Sequence, residues 1–389
     1  MLGQTNAKVV TGGGVTVEKE NYYIAYDSNT AITTAQSLEF IPFNVDSNKC
    51  IRASGGYGGG LTIVSLGTSS TTTVASVNGD APSNFEVAED DSFFIYWYSG
   101  SLKYVPVNSD YTVGTVISVN TTDLGYGTNN RKVFILSSTR FGFYDYTNSK
   151  IGIFKLENGA LVEDKSIDCS NLSLVGQSAS SFEGKIVLLI NKTSGSPTET
   201  GIRIIDPDTE TTLYEDIRSD KTNAPYSCCQ KDNYLFVYNM LNAQPYVTIP
   251  VFVYEYSNSQ FSKKSISAID YTSKQLSNNI DIRAYKKSEG VYLIMATNYV
   301  NLLEYSFFIC DITEGTVEGN FFNAGSISVF AKGFGIVTVN NTPTLFVSSY
   351  YTQSYYTYYQ IFYGYYSTEK TPSELLYGGN TFTLTAIGE

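Results

Sequence analysis

The stretch RKVFILSSTRFGFYDYTNSKIGIFKLENGALVEDKS, residues 131–166, reads as four short strands in succession with a turn between each. The strands fall at 133–136, 141–146, 151–156 and 161–166, rich in β-branched and aromatic side chains that suit a pleated, half-buried surface. Asn158-Gly159 fills the last gap, where a two-residue hairpin turn demands positive φ, so the last two strands form an antiparallel hairpin. A four-stranded sheet of this size cannot bury its own faces. It must stack against copies of itself or against another layer.

Outward from this unit the same punctuation recurs. The turn before each outermost strand falls at Gly67, Asp110, Asn158, Asp208, Asn258, Glu314 and Thr368, with separations of 43, 48, 50, 50, 56 and 54 residues. Strand patterns flank these turns at 61–66 and 71–77, 102–107 and 113–119, and 202–205 and 211–214. Four strands of about five residues, with ordinary loops, fill roughly 40–50 residues. A β-solenoid repeats over a shorter coil, and a pair of β-sandwich domains, the main alternative, would not keep one period through the chain.

The expectation is an all-β chain: a β-propeller of about seven (six to seven) four-stranded blades over 47–389, with residues 1–46 as an N-terminal β extension or attachment segment. Residues 22–26 and 38–43 are the candidate strands of that extension. Residues 381–387 alternate and should form a strand that either completes the first blade or pairs with the extension. A single helical turn at 373–376 is the strongest helix signal.

Composition narrows the function classes. Lys and Arg number 25 against 37 Asp and Glu, a net charge of −12, and no basic cluster reverses it, so nucleic-acid binding is not expected. The chain contains no histidine, which removes Ser-His-Asp and Cys-His nucleophiles, a His general base and imidazole zinc sites. No apolar run approaches the ~18 residues of a membrane span, so membrane insertion is not expected. Cys50, Cys169, Cys228, Cys229 and Cys310 are too few and too scattered for a disulfide framework and read as buried thiols, with Cys228 and Cys229 on opposite faces of a strand. Residues 1–25 lack a basic start followed by an apolar segment, so a secretory signal is not expected and folding belongs to a reducing cytoplasm. No cofactor or metal is implied.

Three local features stand out. Glu86, Glu89, Asp90 and Asp91 form the densest acidic cluster, and two carboxylates ~5–10 Å apart would suit glycoside hydrolysis. A solvated loop is the plainer reading. Asp206-Pro207-Asp208-Thr209-Glu210 places oxygen ligands at alternate positions, as a calcium loop does, but lacks the central Gly and distal Glu, so a hairpin turn is expected. The run containing Tyr350, Tyr351, Tyr355, Tyr356, Tyr358 and Tyr359, continued by Tyr363, Tyr365 and Tyr366, is the most unusual. Strand alternation sends Tyr356 and Tyr358 to one face and Tyr355 and Tyr359 to the other, so these side chains cannot all be core. They suit either packing between blades or a contact surface for sugar rings or protein. Trp97 reads as core.

The WD and kelch signatures are missing, since no Gly-His or Trp-Asp pair occurs and the diglycines do not recur per repeat. Met1-Leu2-Gly3-Gln4-Thr5-Asn6-Ala7-Lys8-Val9 and Leu384-Thr385-Ala386-Ile387-Gly388 resemble the terminal segments of accessory virion proteins of tailed bacteriophages, such as head fibres or tail appendages. That resemblance covers only the two ends. It implies a non-enzymatic virion protein, made in the host cytoplasm, anchored to other virion proteins through residues 1–46, and displaying its body toward host-surface glycan. The alternatives are a carbohydrate-active propeller enzyme using an Asp/Glu pair, and a bacterial surface adhesin.

Overall fold

A computed structural model describes residues 21–26, 38–44, 49–54, 60–66, 71–80, 82, 85–128, 132–172, 174–192, 199–219, 224–240, 249–269, 280–298, 304–323, 329–339, 342–353, 356–367 and 384–387, with side chains treated only within 41–317. Strand β1 (Asn21–Tyr26) belongs to the last sheet of the chain. The first blade is β2 (Leu38–Pro42), β3 (Lys49–Ser54), β4 (Gly60–Leu66) and β5 (Thr71–Asn78). The second is β6 (Phe85–Val87), β7 (Phe93–Tyr98), β8 (Ser101–Pro106) and β9 (Ile117–Asn120). The third, the unit read first in the sequence, is β10 (Val133–Ser137), β11 (Arg140–Asp145), β12 (Lys150–Glu157) and β13 (Ala160–Asp168).

The fourth blade comprises β14 (Leu174–Phe182), β15 (Lys185–Lys192), β16 (Glu199–Ile205) and β17 (Thr212–Arg218). The fifth comprises β18 (Ala224–Lys231), β19 (Tyr234–Met240), β20 (Val251–Ser257) and β21 (Gln260–Lys263). In the sixth, β23 (Ile280–Ser288), β24 (Val291–Asn298), β25 (Glu304–Asp311) and β26 (Thr316–Asn323) are joined by β22 (Ser267–Ile269), which runs parallel to β26. The seventh is β27 (Val329–Val339), β28 (Thr342–Gln353) and β29 (Tyr356–Ser367), followed by β1 and then β30 (Leu384–Ile387). Six four-stranded antiparallel meanders thus follow one another along the chain, the sixth extended by β22, and a seventh sheet joins the three-stranded meander β27–β29 to β1 and β30.

The core lies between blades rather than within them. Along β15, Ile186 and Leu188 pack toward the third blade while Val187 and Leu189 pack toward the fifth. On β7, Phe93, Ile95 and Trp97 face the third blade, and Phe94 and Tyr96 face the first. A strand sandwiched on both faces must read as a continuous apolar run, which accounts for FFIYWY at Phe93–Tyr98 and KIVLLINK at Lys185–Lys192. Outer strands have one partner only and turn polar: β9, β17 and β21 contain no buried residue. Each fully buried Leu, Ile or Phe contributes about 1.5–3 kcal/mol of transfer free energy, so the blade interfaces supply most of the driving force. The first strands of successive blades, β6, β10, β14, β18, β23 and β27, pack side by side, and β27 lies against β2.

The turns used as a ruler sit where the sequence placed them at every described position. Asn158 and Gly159 have φ of 51° and 77°, and Asn258 and Ser259 have 50° and 61°, as the two-residue hairpin turn requires. Gly67, Thr368 and 373–376 lie outside the described residues. Two boundaries need correction. Both candidate strands of the 1–46 extension serve the propeller itself: 21–26 lies in the seventh sheet and 38–42 is the first strand of the first blade. Of the two uses offered for the terminal strand, β30 takes the second, with Tyr22 opposite Ile387 and Ala25 opposite Leu384. The parallel strand β22 carried no sequence signal beyond three residues of mixed character.

Candidate functional site

The acidic loop is a structural turn. Glu86, Glu89 and Asp90 are exposed, whereas Asp91 is buried with φ of 61°. Its carboxylate accepts from the backbone N–H of Asn44 at 2.7 Å and the Tyr111 hydroxyl at 3.0 Å, joining the second blade to the first. Asp90 accepts from the Ser92 hydroxyl and N–H, and these bonds hold its carboxyl below the ordinary range. These bonds stabilise the charged form of Asp90, while Asp91 serves the packing of the second blade on the first.

Asp206 closes the β16–β17 turn by accepting from the N–H groups of Asp208 at 2.8 Å and Thr209 at 3.0 Å. The ammonium of Lys185, at 2.7 Å, and these N–H groups push its carboxyl well below the usual value. From the third blade, Arg140 reaches Asp208 at 2.7 Å and Lys165 reaches Glu210 at 2.9 Å. Both oxygens of Asp206 are thus engaged by the turn and Lys185, and one oxygen each of Asp208 and Glu210 meets a cation of the third blade. No metal-sized group of His, Cys, Asp or Glu occurs among the described residues.

Tyr350 and Tyr351 lie on β28, and Tyr356, Tyr358 and Tyr359 on β29, the two strands of one hairpin. Register places Tyr350 opposite Tyr359 and Tyr351 opposite Tyr358, so the structure brings four of the six predicted tyrosines into two cross-strand pairs. Tyr356 pairs with Gln353, and Tyr355 lies outside the described residues. Farther along, Tyr365 and Tyr366 stand opposite Tyr23 and Tyr22 of β1. The tyrosine run and the N-terminal strand share one sheet.

A recurring tie between blades went unread in the sequence. Tyr254 on β20 donates to Asp216 on β17 at 2.7 Å, and Lys263 on β21 reaches the same oxygen at 2.7 Å. Tyr292 on β24 donates to Asp232 of the fifth blade at 2.7 Å, with Lys286 at 3.2 Å. Tyr96 on β7 and Lys103 on β8 both meet Asp80, which follows the first blade. In each case a Tyr and a Lys from one blade clasp a carboxylate from the preceding one. Burial alone would raise the Asp216 and Asp232 carboxyls, but the bonds from Lys and Tyr outweigh it and hold both low. Burial and the adjacent carboxylate push the Tyr254, Tyr292 and Tyr96 phenols up. These partners lie 16 to 60 residues apart and follow no local pattern.

A polar groove of about 560 Å³ runs between β21 and the 312–315 turn, lined by Ser262, Lys263, Lys264, Ser265, Ser267 and Thr313 among others. Lys263 is paired with Asp216 and Lys264 with Glu255, so the groove offers hydroxyls and neutralised ammonium groups. Trp97 is buried and donates to the Thr121 hydroxyl at 3.1 Å. All five cysteines are thiols, four of them buried, and Cys228 and Cys229 are not joined to each other. No helix of the described residues is long and apolar enough to cross a membrane.

No family model and no curated sequence matches the chain. Among solved structures it is similar to the β-propeller domain of Cps50 (Swd1) from Myceliophteria thermophila, at 9% identity and a TM-score of 0.54, covering 87% of this chain and 99% of that one. It is similar to the WD40 domain of Toxoplasma gondii coronin, at 9% identity and 0.52, covering 92% and 89%. A Bacteroides uniformis protein described as a candidate 6-phosphogluconolactonase matches at 11% identity and 0.50, covering 86% and 93%. Likeness at these identities concerns the fold alone, and it agrees with the seven stacked sheets: the chain is an all-β protein with the β-propeller fold.

Proposed function

We propose that the chain is a non-enzymatic structural or decoration protein of a phage particle, attached to other capsid or tail proteins through its terminal segments. The observation that carries this reading is the pairing of β1 with β30 in the seventh blade. Both terminal strands leave from one sheet, so an anchor formed by residues 1–20 would fix the ring at that blade and leave the other six free for display. The resemblance of the terminal segments to accessory virion proteins points to the assembly. The cross-strand tyrosine pairs of the same blade offer rigid amphipathic area suited to a host-surface glycan. The carboxylates at blade junctions are committed to Lys and Tyr partners, which favours a scaffold over a hydrolase.

Quantitative mass spectrometry of gradient-purified particles from the source tests this. The reading expects the chain in fixed stoichiometry with the major structural proteins, and its loss from particles when residues 1–20 are deleted. A chain found only in the unassembled fraction would remove the proposal.

A further inference from the structure

We propose that Asn158, at the tip of the third blade's outer hairpin, is a site of spontaneous deamidation, and that the fold suppresses the same reaction at Asn78. The chain contains two Asn-Gly pairs, Asn78-Gly79 and Asn158-Gly159. A following glycine matters because it has no side chain to keep its backbone nitrogen away from the asparagine carboxamide. In the reaction that nitrogen attacks Cγ of the asparagine, and a new C–N bond closes a five-membered succinimide. The bond from Cγ to the amide nitrogen breaks, and that nitrogen leaves as ammonia with the proton given up by the backbone N–H. Solvent water then adds to one of the two imide carbonyls, leaving aspartate or isoaspartate.

The two pairs stand in opposite surroundings. Asn158 and Gly159 are both exposed, and the β12–β13 ladder closes at Glu157↔Ala160, which leaves the Gly159 N–H outside it. A Cβ at Gly159 would meet nothing within 4 Å, so the backbone there has room to turn toward the carboxamide. Such a loop tip opens locally while the blade stays folded. Asn78 is held at both ends of its carboxamide: Nδ2 donates to the Tyr96 hydroxyl, and Oδ1 accepts from the Asp80 N–H at 3.0 Å. Tyr96 and Asp80 are themselves joined in the tie between the first two blades. Freeing the Asn78 carboxamide breaks two hydrogen bonds, which at their usual net strength slows the attack by roughly tenfold to a hundredfold. Asn258-Ser259 isolates the part played by glycine. Its exposed turn has φ of 50° and 61°, close to the 51° and 77° of Asn158-Gly159, but the serine side chain crowds the attacking nitrogen.

The test is peptide mapping by mass spectrometry of the full chain aged in mildly alkaline buffer, with a parallel sample unfolded in urea. Trypsin frees Asn158 as the sole asparagine of the peptide 156–165, and its aspartyl and isoaspartyl forms separate from the parent by chromatography. In urea the two Asn-Gly pairs should convert at similar rates. In the native chain Asn158 should convert at least about tenfold faster than Asn78, and ahead of Asn258. Tyr96→Phe, which removes one partner of the Asn78 carboxamide, should speed conversion of Asn78 and leave Asn158 unchanged. An Asn158 that stays intact in the native chain while it converts in urea would overturn the proposal. So would native conversion of Asn78, or of Asn258, at the rate of Asn158.

Discussion

Tyr254 of the fifth blade donates its phenolic hydrogen to Asp216 of the fourth at 2.7 Å, across 38 residues of sequence. The bond matters because the Tyr254 side chain is buried and Lys263 neutralises the same half-buried carboxylate. Tyr254→Phe removes the donor while leaving Lys263 in place. The expected loss is about 1.5–3 kcal/mol, the range for a hydrogen bond to a charged group. Asp216→Ala should cost more, since it strands the buried hydroxyl and the ammonium together. Urea unfolding curves of the two variants give the comparison, and a neutral Tyr254→Phe would show that the tie is dispensable.

The same groups set the pH range of stability. Asp206, Asp216 and Asp232 have folded pKa values below the ordinary carboxylate value of about 3.9. A depressed carboxyl contributes stability that is present above the unfolded value and lost as pH falls through the folded one. The melting temperature should therefore decline as pH drops below about 4. Tyr96, Tyr254 and Tyr292 have raised phenol values, so their contribution is complete below the unfolded value of about 10 and is lost as pH climbs beyond it. Tyrosinate absorbance followed together with circular dichroism should show these phenols ionising only as the fold is lost. Their ionisation in a folded ring would contradict the inter-blade bonds.

Two glycines separate packing from conformation. Gly159 has φ of 77° in the β12–β13 turn, and a Cβ there would meet nothing within 4 Å. Gly159→Ala should cost only the left-handed backbone penalty, about 1–2 kcal/mol. Gly201, with φ of 155° on β16, faces the carbonyl of Asp216 so closely that a Cβ would overlap it. Backbone cannot rotate away as a side chain can, so Gly201→Ala should be the more damaging of the pair. Thermal melts of both variants rank them, and equal losses would argue against the close approach of β16 and β17.

Thiol chemistry reports on the blade interfaces. Burial pushes the Cys169 and Cys310 thiols up to about 12, and both are inaccessible in the fold. Cys229 is the only one of the five with partial exposure. A water-soluble thiol reagent at neutral pH should modify Cys229 first and the other four only as the chain unfolds. Rapid modification of Cys169 in native protein would contradict the packing of the third blade on the fourth.

How much of this was readable in the sequence follows from range. Asn158-Gly159 and Asp206-Pro207-Asp208 are local instructions, and the hairpins form where those residues stand. The FFIYWY and KIVLLINK runs show that a strand is buried on both faces but not what covers it. Partner choice between blades is long-range: nothing near Tyr292 indicates that Asp232, 60 residues away, will accept its hydrogen bond. The seventh sheet is the extreme case, because Tyr22 of β1 stands opposite Ile387 of β30. The strand at 38–42 precedes the turn rhythm and so reads as part of an extension, although it supplies Ile41 to the core between the first and second blades. The acidic loop is the solvated turn that its charge run suggests, but the role of Asp91 within it is not legible. A carboxylate serving as a turn acceptor, like Asp91, has the same letter as one serving a substrate.

Electron cryomicroscopy of intact particles from the source tests the central proposal most directly. The account predicts a surface-displayed ring of seven lobes, sized for a 42.8 kDa chain and joined to the particle through the lobe that holds both terminal strands. Particles without such a ring, or a ring joined through a blade remote from β1 and β30, would contradict it.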